Sequence, residues 1–493
     1  MQLPGVTFES SYAKLSERFS APIDPTPVRW PRLIKLNTEL CDLLGIRAAD
    51  LTAEDAARVF SGNEVPEGAL PIALAYAGHQ FGSFVPQLGD GRAILLGEVI
   101  GTDGKRRDVQ LKGAGPTPFS RRGDGRAALG PVLREYVVSE AMAALGVPTT
   151  RALAAVTTGE WVMRERELPG AVITRVAASH LRVGTFQYFA ARRDHEAVEK
   201  LTRYALDRHY PHADRAAGDA LALLDAVLDA QADLVARWMG FGFVHGVMNT
   251  DNTAISGETL DYGPCAFLDE YHPQKVFSSI DHGGRYAFAR QPEIARWNLS
   301  RLAETLLPLI DGDIERARGL ATARLERFFE RFADTHERVL AQKLGFDRRE
   351  DGDRSLAARL FEILAANEVD FTVFFRRLCD AAETPAADDA IAGLFRDVHA
   401  YRSWAETWRA RLAQEDAPSA NRAIAMRQCN PAFIPRNHRV EQMIQAALTR
   451  RDFDPLERLL TVLARPFEDQ PSAGDLAEPP LPRERVTQTF CGT

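Results

Sequence analysis

The segment 243–252 (FVHGVMNTDN) brings two oxygen-bearing side chains together, Asp251 and Asn252, and a further carboxylate follows at Asp261. A long amphipathic helix is predicted just before this segment, over 216–239. An Asn and an Asp on either side of a short turn can supply two oxygen ligands to Mg²⁺, while phosphate oxygens of a nucleotide fill the remaining coordination positions. The spacing therefore indicates a nucleotide-binding site with a divalent cation.

The same residues have the spacing of a protein-kinase catalytic loop. In kinases a His opens the loop and the metal-binding Asn follows, and here Asn252 lies seven residues after His245. Asp261, which precedes Tyr and Gly, stands where kinases have Asp-Phe-Gly. The usual catalytic Asp, two residues after the His, is absent, because Val247 occupies that position and cannot accept a proton. Without that Asp, the sequence indicates a binding pseudokinase or a different reaction on the same nucleotide. Asp251 is the only nearby carboxylate that could replace the missing base.

Lysine is rare in this chain, which gives Lys112 particular weight. Of the 60 cationic residues, seven are Lys and 53 are Arg. Lys112 ends an alternating strand, and Glu135 follows 23 residues later in a predicted helix. In kinases a strand Lys paired with a helix Glu contacts the nucleotide phosphates. We therefore predict an ion pair between Lys112 and Glu135. The alternative is a Lys whose stem packs while its ammonium reaches solvent.

Glycine and arginine residues nearby extend the predicted site. Gly89 and Gly91 match part of a phosphate-cradling loop, although plain hairpin turns show the same pattern. The loop 120–126 (SRRGDGR) lies just before the predicted helix, and Arg175 and Arg182 follow later. Guanidinium groups suit phosphate oxygens. In a chain with so many Arg, each one could equally be a solvated surface residue.

Hydrophobic periodicity predicts a strand-rich first half and a helical second half. Strand-like segments are predicted at 87–99 (two strands around a glycine turn), 108–112, 152–157, 160–164 and 171–176. Helices are predicted at 30–44, 53–61, 132–145, 216–239, 293–307, 313–344 and 356–364, and again from 440. The candidate site residues fall near the junction between the two halves.

The composition excludes several classes of protein. A net charge of −8 argues against a general nucleic-acid coat and a polybasic membrane binder. Five Cys without zinc-ligand spacing exclude a zinc ribbon and a disulfide scaffold. The sequence has no run of about 20 apolar residues for a membrane helix and no signal-peptide pattern. We expect a monomer in a reducing bacterial cytoplasm, with no nucleic-acid or membrane partner.

Longer motifs extend along nearly the whole chain. They are 76–82 (YAGHQFG), 88–92 (LGDGR), 112–121 (KGAGPTPFSR), 245–252 (HGVMNTDN), 261–264 (DYGP) and the Asn-Pro segment 430–437. Together they resemble the selenoprotein O family, the YdiU-like protein adenylyltransferases. The motifs are long enough to make this resemblance highly specific.

The resemblance implies a pseudokinase that binds ATP in a flipped orientation, with the γ-phosphate buried and the α-phosphate facing the acceptor. AMP then passes from ATP to a Ser, Thr or Tyr hydroxyl of a protein, and pyrophosphate is released. Asp251 is implied as the proton acceptor, Asn252 and Asp261 as ligands of Mg²⁺ or Mn²⁺, and Glu135 as the partner of Lys112. The implied nucleotide contacts are Gly89, Gly91, Arg92, Lys112, Asp124, Gly125, Arg175, Arg182 and Asp261.

The implied fold is α+β and protein-kinase-like, with two lobes and family-specific extensions. We expect an N-terminal extension over 1–65 and a strand-rich N-lobe with the glycine hairpin and the Lys strand over 66–190. A largely helical C-lobe with the catalytic loop and metal site is expected over 191–463. Residues 464–493, rich in Pro, Asp and Glu at their start, are expected to form a flexible tail.

Cys491 lies third from the end, where some family members carry selenocysteine, and the resemblance implies a redox link to a Cys near the activation loop. The segment 273–278 has no Cys, and Phe277 stands where one member has the partner. Cys265, four residues after Asp261, is the nearest substitute. A free, exposed thiol at Cys491 is the alternative.

Two rivals to AMP transfer stay open. One is a conventional kinase that uses Asp251 as its base. The other is a non-catalytic ATP-binding pseudokinase, against which the presence of both Asn252 and Asp261 argues. UMP transfer from UTP is a variant of the leading hypothesis, because nothing in the sequence visibly selects the base.

Overall fold

The computed structural model describes residues 2–416 and 418–490, which combine antiparallel sheets with many helices. The strands of these residues are β1 Ser20–Pro22, β2 Arg32–Leu36, β3 Ile72–Leu74, β4 Gly78–Gln80, β5 Ser83–Val85, β6 Ala93–Ile100, β7 Arg106–Lys112, β8 Ala127–Ala128, β9 Arg151–Met163, β10 Glu167–Ala177, β11 Phe243–Val244 and β12 Ala266–Phe267. The α-helices are α1 Thr38–Leu44, α2 Ala53–Phe60, α3 Leu129–Ala144, α4 Val183–Ala190, α5 His195–His209, α6 Asp219–Phe241, α7 Gln291–Ile310, α8 Ile314–Leu344, α9 Asp353–Asn367, α10 Phe371–Glu383, α11 Asp388–Ala392, α12 Val398–Leu412, α13 Ser419–Arg427, α14 Asn437–Arg450, α15 Asp454–Leu463 and α16 Gly474–Ala477. The predicted mixture of a strand-rich first part and a helical second part is confirmed.

The main sheet lies within the first part of the chain. Its strand order is β1-β3-β6-β7-β10-β9-β2, with β8 added beside β10, and its pairings are antiparallel. Lys112 at the end of β7 pairs with Ile173 of β10, and Gln110 pairs with Arg175. Because side chains alternate along a strand, Lys112 and Arg175 project from the same face of the sheet.

Helix α3 packs on this sheet and carries Glu135. It contacts β9 and β10 on one side and α14 and α15 on the other, so most of its residues are buried. Apolar side chains such as Leu133 and Val137 fill the space between α3 and these elements. Burial on several sides explains why the helix is apolar nearly all round, and it fixes the position of Glu135 beneath the sheet strands.

The helical part is built around α6, which packs against α7 and α8. Helix α6 ends at Gly242, which has a left-handed φ of 69°, and β11 follows at once. Strand β11 pairs with β12, so these two short strands close a loop over residues 245–265. That loop contains Asp251, Asn252 and Asp261.

Three local predictions differ from the structure. Residues 32–36 form β2 instead of the start of a helix, because β2 pairs with the long strand β9. Residues 87–92 form a turn and no strand, since Gly89 has a left-handed φ of 71°. The segments predicted as separate strands at 152–157 and 160–164 are one strand, β9.

Residues 465–490 include segments that pack against the rest of the described chain, unlike the flexible tail that the composition suggested. Ala473 and Leu476 are buried in the cluster that surrounds α3, α14 and α15. Thr489 is also buried, and its backbone bridges to Ser278. No helix among the described residues is long and apolar enough to cross a membrane.

Candidate active site

A cavity of about 600 Å³ collects the candidate residues that the sequence identified. Those that line it are Gly89, Gly91, Arg92, Lys112, Asp124, Gly125, Arg175, Arg182, Asp251, Asn252 and Asp261. They come from β7, β10, the turn before β6, the loop before α3, the start of α4 and the loop between β11 and β12. Glu135 lies behind Lys112, on α3. The structure therefore brings together residues that are up to 172 positions apart in the sequence.

Four charged side chains form an ion-pair network in this cavity. Lys112 Nζ donates to Glu135 Oε2 at 2.8 Å and to Asp261 Oδ1 at 2.7 Å. Arg175 Nη2 donates to the same Asp261 oxygen at 3.0 Å, and Arg175 Nε donates to Glu135 Oε1. Two cations and two carboxylates thus alternate around the network. The network fixes both cations in place.

Burial and charge act in opposite directions on these groups. Burial alone would raise the pKa of Asp261, but the Lys112 ammonium and the Arg175 guanidinium outweigh it and hold that pKa well below its ordinary value. Glu135 follows the same pattern: burial opposes ionisation, yet Arg175 and Lys112 lower its pKa. Both carboxylates are therefore ionised at neutral pH.

Asp251 has a different environment. It is buried, and burial raises its pKa to about 6, while a hydrogen bond from Gln80 opposes that shift. Gln80 Nε2 donates to Asp251 Oδ2 at 3.2 Å. Asp251 Oδ1 has no hydrogen-bond partner among the described residues. A carboxylate with a raised pKa in the wall of this cavity is suited to accept a proton from a substrate.

The hairpin β4–β5 holds the loop around Asp251, a contact that the sequence did not predict. His79 N donates to Thr250 Oγ1 at 2.7 Å, and Phe81 N donates to Asn249 Oδ1 at 3.1 Å. With the bond from Gln80 to Asp251, three consecutive hairpin residues contact three consecutive loop residues. The motif 76–82 is the one sequence signal for this hairpin.

Asn252 and Asp261 are the residues that could hold a divalent cation. Asn252 Nδ2 donates to Val247 O at 3.0 Å, and the side-chain oxygen of Asn252 takes no part in this bond. Both side chains line the same cavity. The described residues contain no group of three or more His, Cys, Asp or Glu that could enclose a metal. Mg²⁺ fits a pair of protein oxygens of this kind, because substrate phosphates and water supply its other ligands.

The glycine and aspartate positions shape the wall of the cavity. A Cβ on Gly89 would lie 2.3 Å from the ring of Phe119, so only glycine fits there. Gly125 has a left-handed φ of 66°. Asp124 accepts two hydrogen bonds from Arg164, of 2.8 and 3.2 Å. The turn at Gly89 and the loop with Asp124 and Gly125 thus both line the cavity.

Arg182 is buried inside the cavity wall. Its guanidinium carbon lies 4.2 Å from the centroid of the Tyr76 ring, and its Nη2 lies 3.7 Å from Asp90 Oδ1. Asp90 also accepts a hydrogen bond from Gln110, on β7. Tyr76 and Asp90 were not identified as supporting residues from the sequence, although both fall inside the motifs 76–82 and 88–92.

Of the two Cys considered for a redox link, only Cys265 can be described. Its thiol is free and buried, and burial raises its pKa to about 12. Cys265 is therefore a poor source of thiolate. Cys491 lies outside the described residues, and its pairing stays a prediction.

Comparison with known proteins identifies the family. The profile described as "Protein adenylyltransferase SelO" matches residues 2–464. This chain belongs to the SelO family. The SelO relatives named "Protein nucleotidyltransferase YdiU" include one from Bradyrhizobium sp. (strain BTAi1), 60% identical over 487 residues that cover 99% of both chains. Another, from Rhizobium etli (strain CFN 42), is 59% identical over 99% of this chain and 98% of the relative. A third, from Agrobacterium fabrum (strain C58), is 57% identical over 99% of both.

Membership of the SelO family makes this chain an enzyme of the nucleotidyltransferase class. Residues of the motifs 76–82, 88–92, 112–121, 245–252 and 261–264 line the cavity.

Proposed function

We propose that the chain transfers AMP from ATP to Ser, Thr or Tyr hydroxyls of other proteins and releases pyrophosphate. The observation that carries this proposal is the position of Asp251. Its buried carboxylate lies in the wall of a cavity that Lys112, Arg175 and Arg182 also line. A base and a phosphate-binding surface thus share one space, while Val247 occupies the usual kinase base position.

We also propose the arrangement of a protein kinase for the molecule as a whole. On this proposal residues 1–65 are an extension, 66–190 the N-lobe, 191–463 the C-lobe and 464–493 the tail. The pair Lys112–Glu135 between a strand and a helix supports it. ATP lies in the flipped orientation, so that the buried cations hold the β- and γ-phosphates and the α-phosphate faces the acceptor.

The proposed reaction is an in-line displacement at the α-phosphorus. The acceptor hydroxyl oxygen forms a bond to this phosphorus, and the bond to the oxygen bridging the α- and β-phosphates breaks. The hydroxyl proton passes to the Asp251 carboxylate, and pyrophosphate leaves with the electron pair of the broken bond. Lys112, Arg175 and Arg182 balance the charge of the leaving group, which is mainly a matter of preorganised positioning.

The other proposed nucleotide contacts are Gly89, Gly91, Arg92, Asp124, Gly125 and Asp261. Asn252 and Asp261 would hold Mg²⁺ or Mn²⁺. When bound, the cation would neutralise charge on the phosphate oxygens. UTP, with the same triphosphate, is a second donor on this proposal.

Labelled ATP tests the proposal directly. With α-labelled ATP and Mn²⁺, the wild-type chain is expected to label protein, and γ-labelled ATP is not. Asp251→Ala is expected to lower labelling by about 10²–10⁴-fold, because it removes the proton acceptor. Asp261→Ala is expected to lower it at least about 100-fold. Asp416→Ala, at an exposed position, is the matched control.

The rival functions predict different outcomes. Label from γ-labelled ATP alone would identify a kinase. ATP-dependent thermal stabilisation without label from either nucleotide would identify a binding scaffold. Equal labelling by the wild type, Asp251→Ala and Asp261→Ala would defeat the assignment of the site.

A further inference from the structure

Three large apolar side chains are strongly exposed on one part of the sheet. Trp30, Trp161 and Met163 are 67, 64 and 62% exposed. Among the described residues only Phe490, at 65%, is comparable in size and exposure. Scattered exposed apolar residues need no explanation, but a group of them commonly marks an interaction surface.

These three residues are neighbours because of the register of β9. Gly159, Trp161 and Met163 are exposed, whereas Glu160 is half-buried and Val162 is buried, so the exposed residues share one face. Trp30 packs directly over Gly159, so closely that a Cβ on Gly159 would lie 2.5 Å from Trp30 Cβ. We call Trp30, Trp161 and Met163 the apolar stripe. It ends at Met163, which also lines the catalytic cavity.

Two arginines flank the same opening. Arg121 and Arg122 are exposed and line the cavity. They have φ values of 50° and 71°, the left-handed region that is uncommon for residues other than glycine. Within residues 2–416 and 418–490, no hydrogen bond or ion pair is made by either side chain. Strained backbone tends to persist where function requires it, and here it presents two free cations at the mouth of the cavity.

We propose that the apolar stripe together with Arg121 and Arg122 is the docking surface for the acceptor protein, and that it selects acceptors whose hydroxyl lies near apolar and acidic residues. This inference rests on the proposed transfer to protein hydroxyls. The stripe is continuous with the cavity that contains Asp251, so a segment lying on it can place a hydroxyl inside.

The chemistry of the surface defines the occupant. Trp, Met and Arg are the residue types enriched at the centres of protein interfaces. Unpaired guanidinium groups at the rim attract carboxylates and steer them to the opening. An acidic, apolar-rich and extended protein segment satisfies both parts of the surface.

The test uses two unfolded acceptors of opposite charge, dephosphorylated β-casein and reduced, alkylated lysozyme, with α-labelled ATP. The wild-type chain is expected to label casein more strongly. Arg121→Gln/Arg122→Gln is expected to lower kcat/KM for casein about fivefold to tenfold, with the KM for ATP unchanged. Trp161→Ser/Met163→Ser is expected to lower labelling of both acceptors. The matched controls are Arg451→Gln, which is also exposed and left-handed, and Ile424→Ser, which is 55% exposed.

Several results would overturn this inference while leaving the proposed function intact. One is that both double variants label casein as strongly as the wild-type chain does. Another is that the wild-type chain labels the two acceptors equally. A third is that Arg121→Gln/Arg122→Gln raises the KM for ATP and leaves the preference for casein unchanged. A dimer that dissociates on Trp161→Ser, or oligo(U) binding that the variants lose, would assign the stripe to another partner. If the wild type labels neither protein, or Asp251→Ala labels them normally, the proposed function fails first.

Discussion

Lys112 and Lys343 are both withdrawn from solvent, but their surroundings differ. Lys112 donates to two carboxylates in the candidate active-site cavity. Lys343 is 2% exposed and lies over the ring of Phe375, at 4.2 Å from its centroid. No carboxylate among the described residues acts on Lys343. The sequence allowed Lys112 to be singled out, because a strand and a spaced Glu accompany it. Nothing in the helical pattern around Lys343 distinguished it, because its burial depends on helices distant in sequence.

Replacing Lys112 should separate the role of its charge from its role in packing. In Lys112→Met, Glu135 and Asp261 share the single cation of Arg175. We expect labelling to fall at least about 100-fold and the free energy of unfolding to fall by about 3 kcal/mol, because a buried pair is broken. Transfer assays and chemical denaturation measure the two effects. Lys105→Met, in the exposed turn after β6, is the control, and activity near the wild type in Lys112→Met would contradict the prediction.

Lys343→Met should stabilise the protein at neutral pH. Burial lowers the pKa of Lys343 from 10.5 to about 8, which corresponds to about 3 kcal/mol against the charged form. Loss of the contact with Phe375 offsets part of this. We expect the variant to be about 2 kcal/mol more stable at pH 7, measured by chemical denaturation.

The pH dependence gives a second check on Lys343. Between about pH 8 and 10.5 the unfolded chain binds more protons at this position than the folded chain. Wild-type stability therefore rises with pH across this window relative to the variant. A constant difference between the two proteins from pH 7 to 10 would contradict the assignment.

At the scale of elements, the sequence predicted long periodic segments well. Helices α2, α3, α6, α7 and α8 and strand β7 are close to the predicted ranges, because their hydrophobic spacing agrees with their packing. Strand β2 was predicted as helix, since its pairing with β9 is a tertiary effect. The hairpin β4–β5 has strands of only three residues and no alternating pattern, so its contact with the loop at 249–251 could not be predicted.

That hairpin should control the position of Asp251. A Cβ on Gly78 would lie 2.4 Å from Asp251 Oδ1, so Gly78→Ala must displace the carboxylate. Gln80→Leu removes its one side-chain hydrogen bond. We expect both variants to lower kcat about tenfold or more with the KM for ATP little changed, as measured by steady-state labelling. Gly319→Ala, where a Cβ meets nothing within 4 Å, is the control.

A change in the KM for ATP alone would show that the hairpin acts on nucleotide binding. If Gly78→Ala does not fold, Gln80→Leu alone decides, because it removes the hydrogen bond to Asp251 without adding a side chain at Gly78. Wild-type kcat in Gln80→Leu would contradict the role assigned to the hairpin.

At the scale of the whole molecule, the end of the described chain returns to the segment that follows Asp261. Thr489 N donates to Phe277 O at 2.7 Å, and Ser279 N donates to Thr489 O at 3.0 Å. Thr489 Oγ1 donates to Pro264 O at 2.6 Å. The composition of the tail could not predict this contact, because it depends on three buried hydrogen bonds and not on apolar periodicity.

The tail contact should stabilise the segment after Asp261. In Thr489→Val the hydroxyl bond to Pro264 O is lost, and the free energy of unfolding should fall by about 1 kcal/mol. Faster hydrogen exchange of the Ser279 amide should accompany this loss. Thr487→Val, at an exposed position, is expected to change neither quantity. Unchanged exchange at Ser279 in Thr489→Val would contradict the prediction.

The cations of the cavity are held by carboxylates of the protein itself: Lys112 and Arg175 by Glu135 and Asp261. Because these partners are not part of the substrate, both cations stay in place after the phosphate chain has been cleaved. Pyrophosphate, the proposed product, then has to leave the same cations that held the triphosphate of ATP. Its departure, and not bond cleavage, would limit steady-state turnover, so the first equivalent of acceptor should be modified in a rapid burst before a slower phase begins.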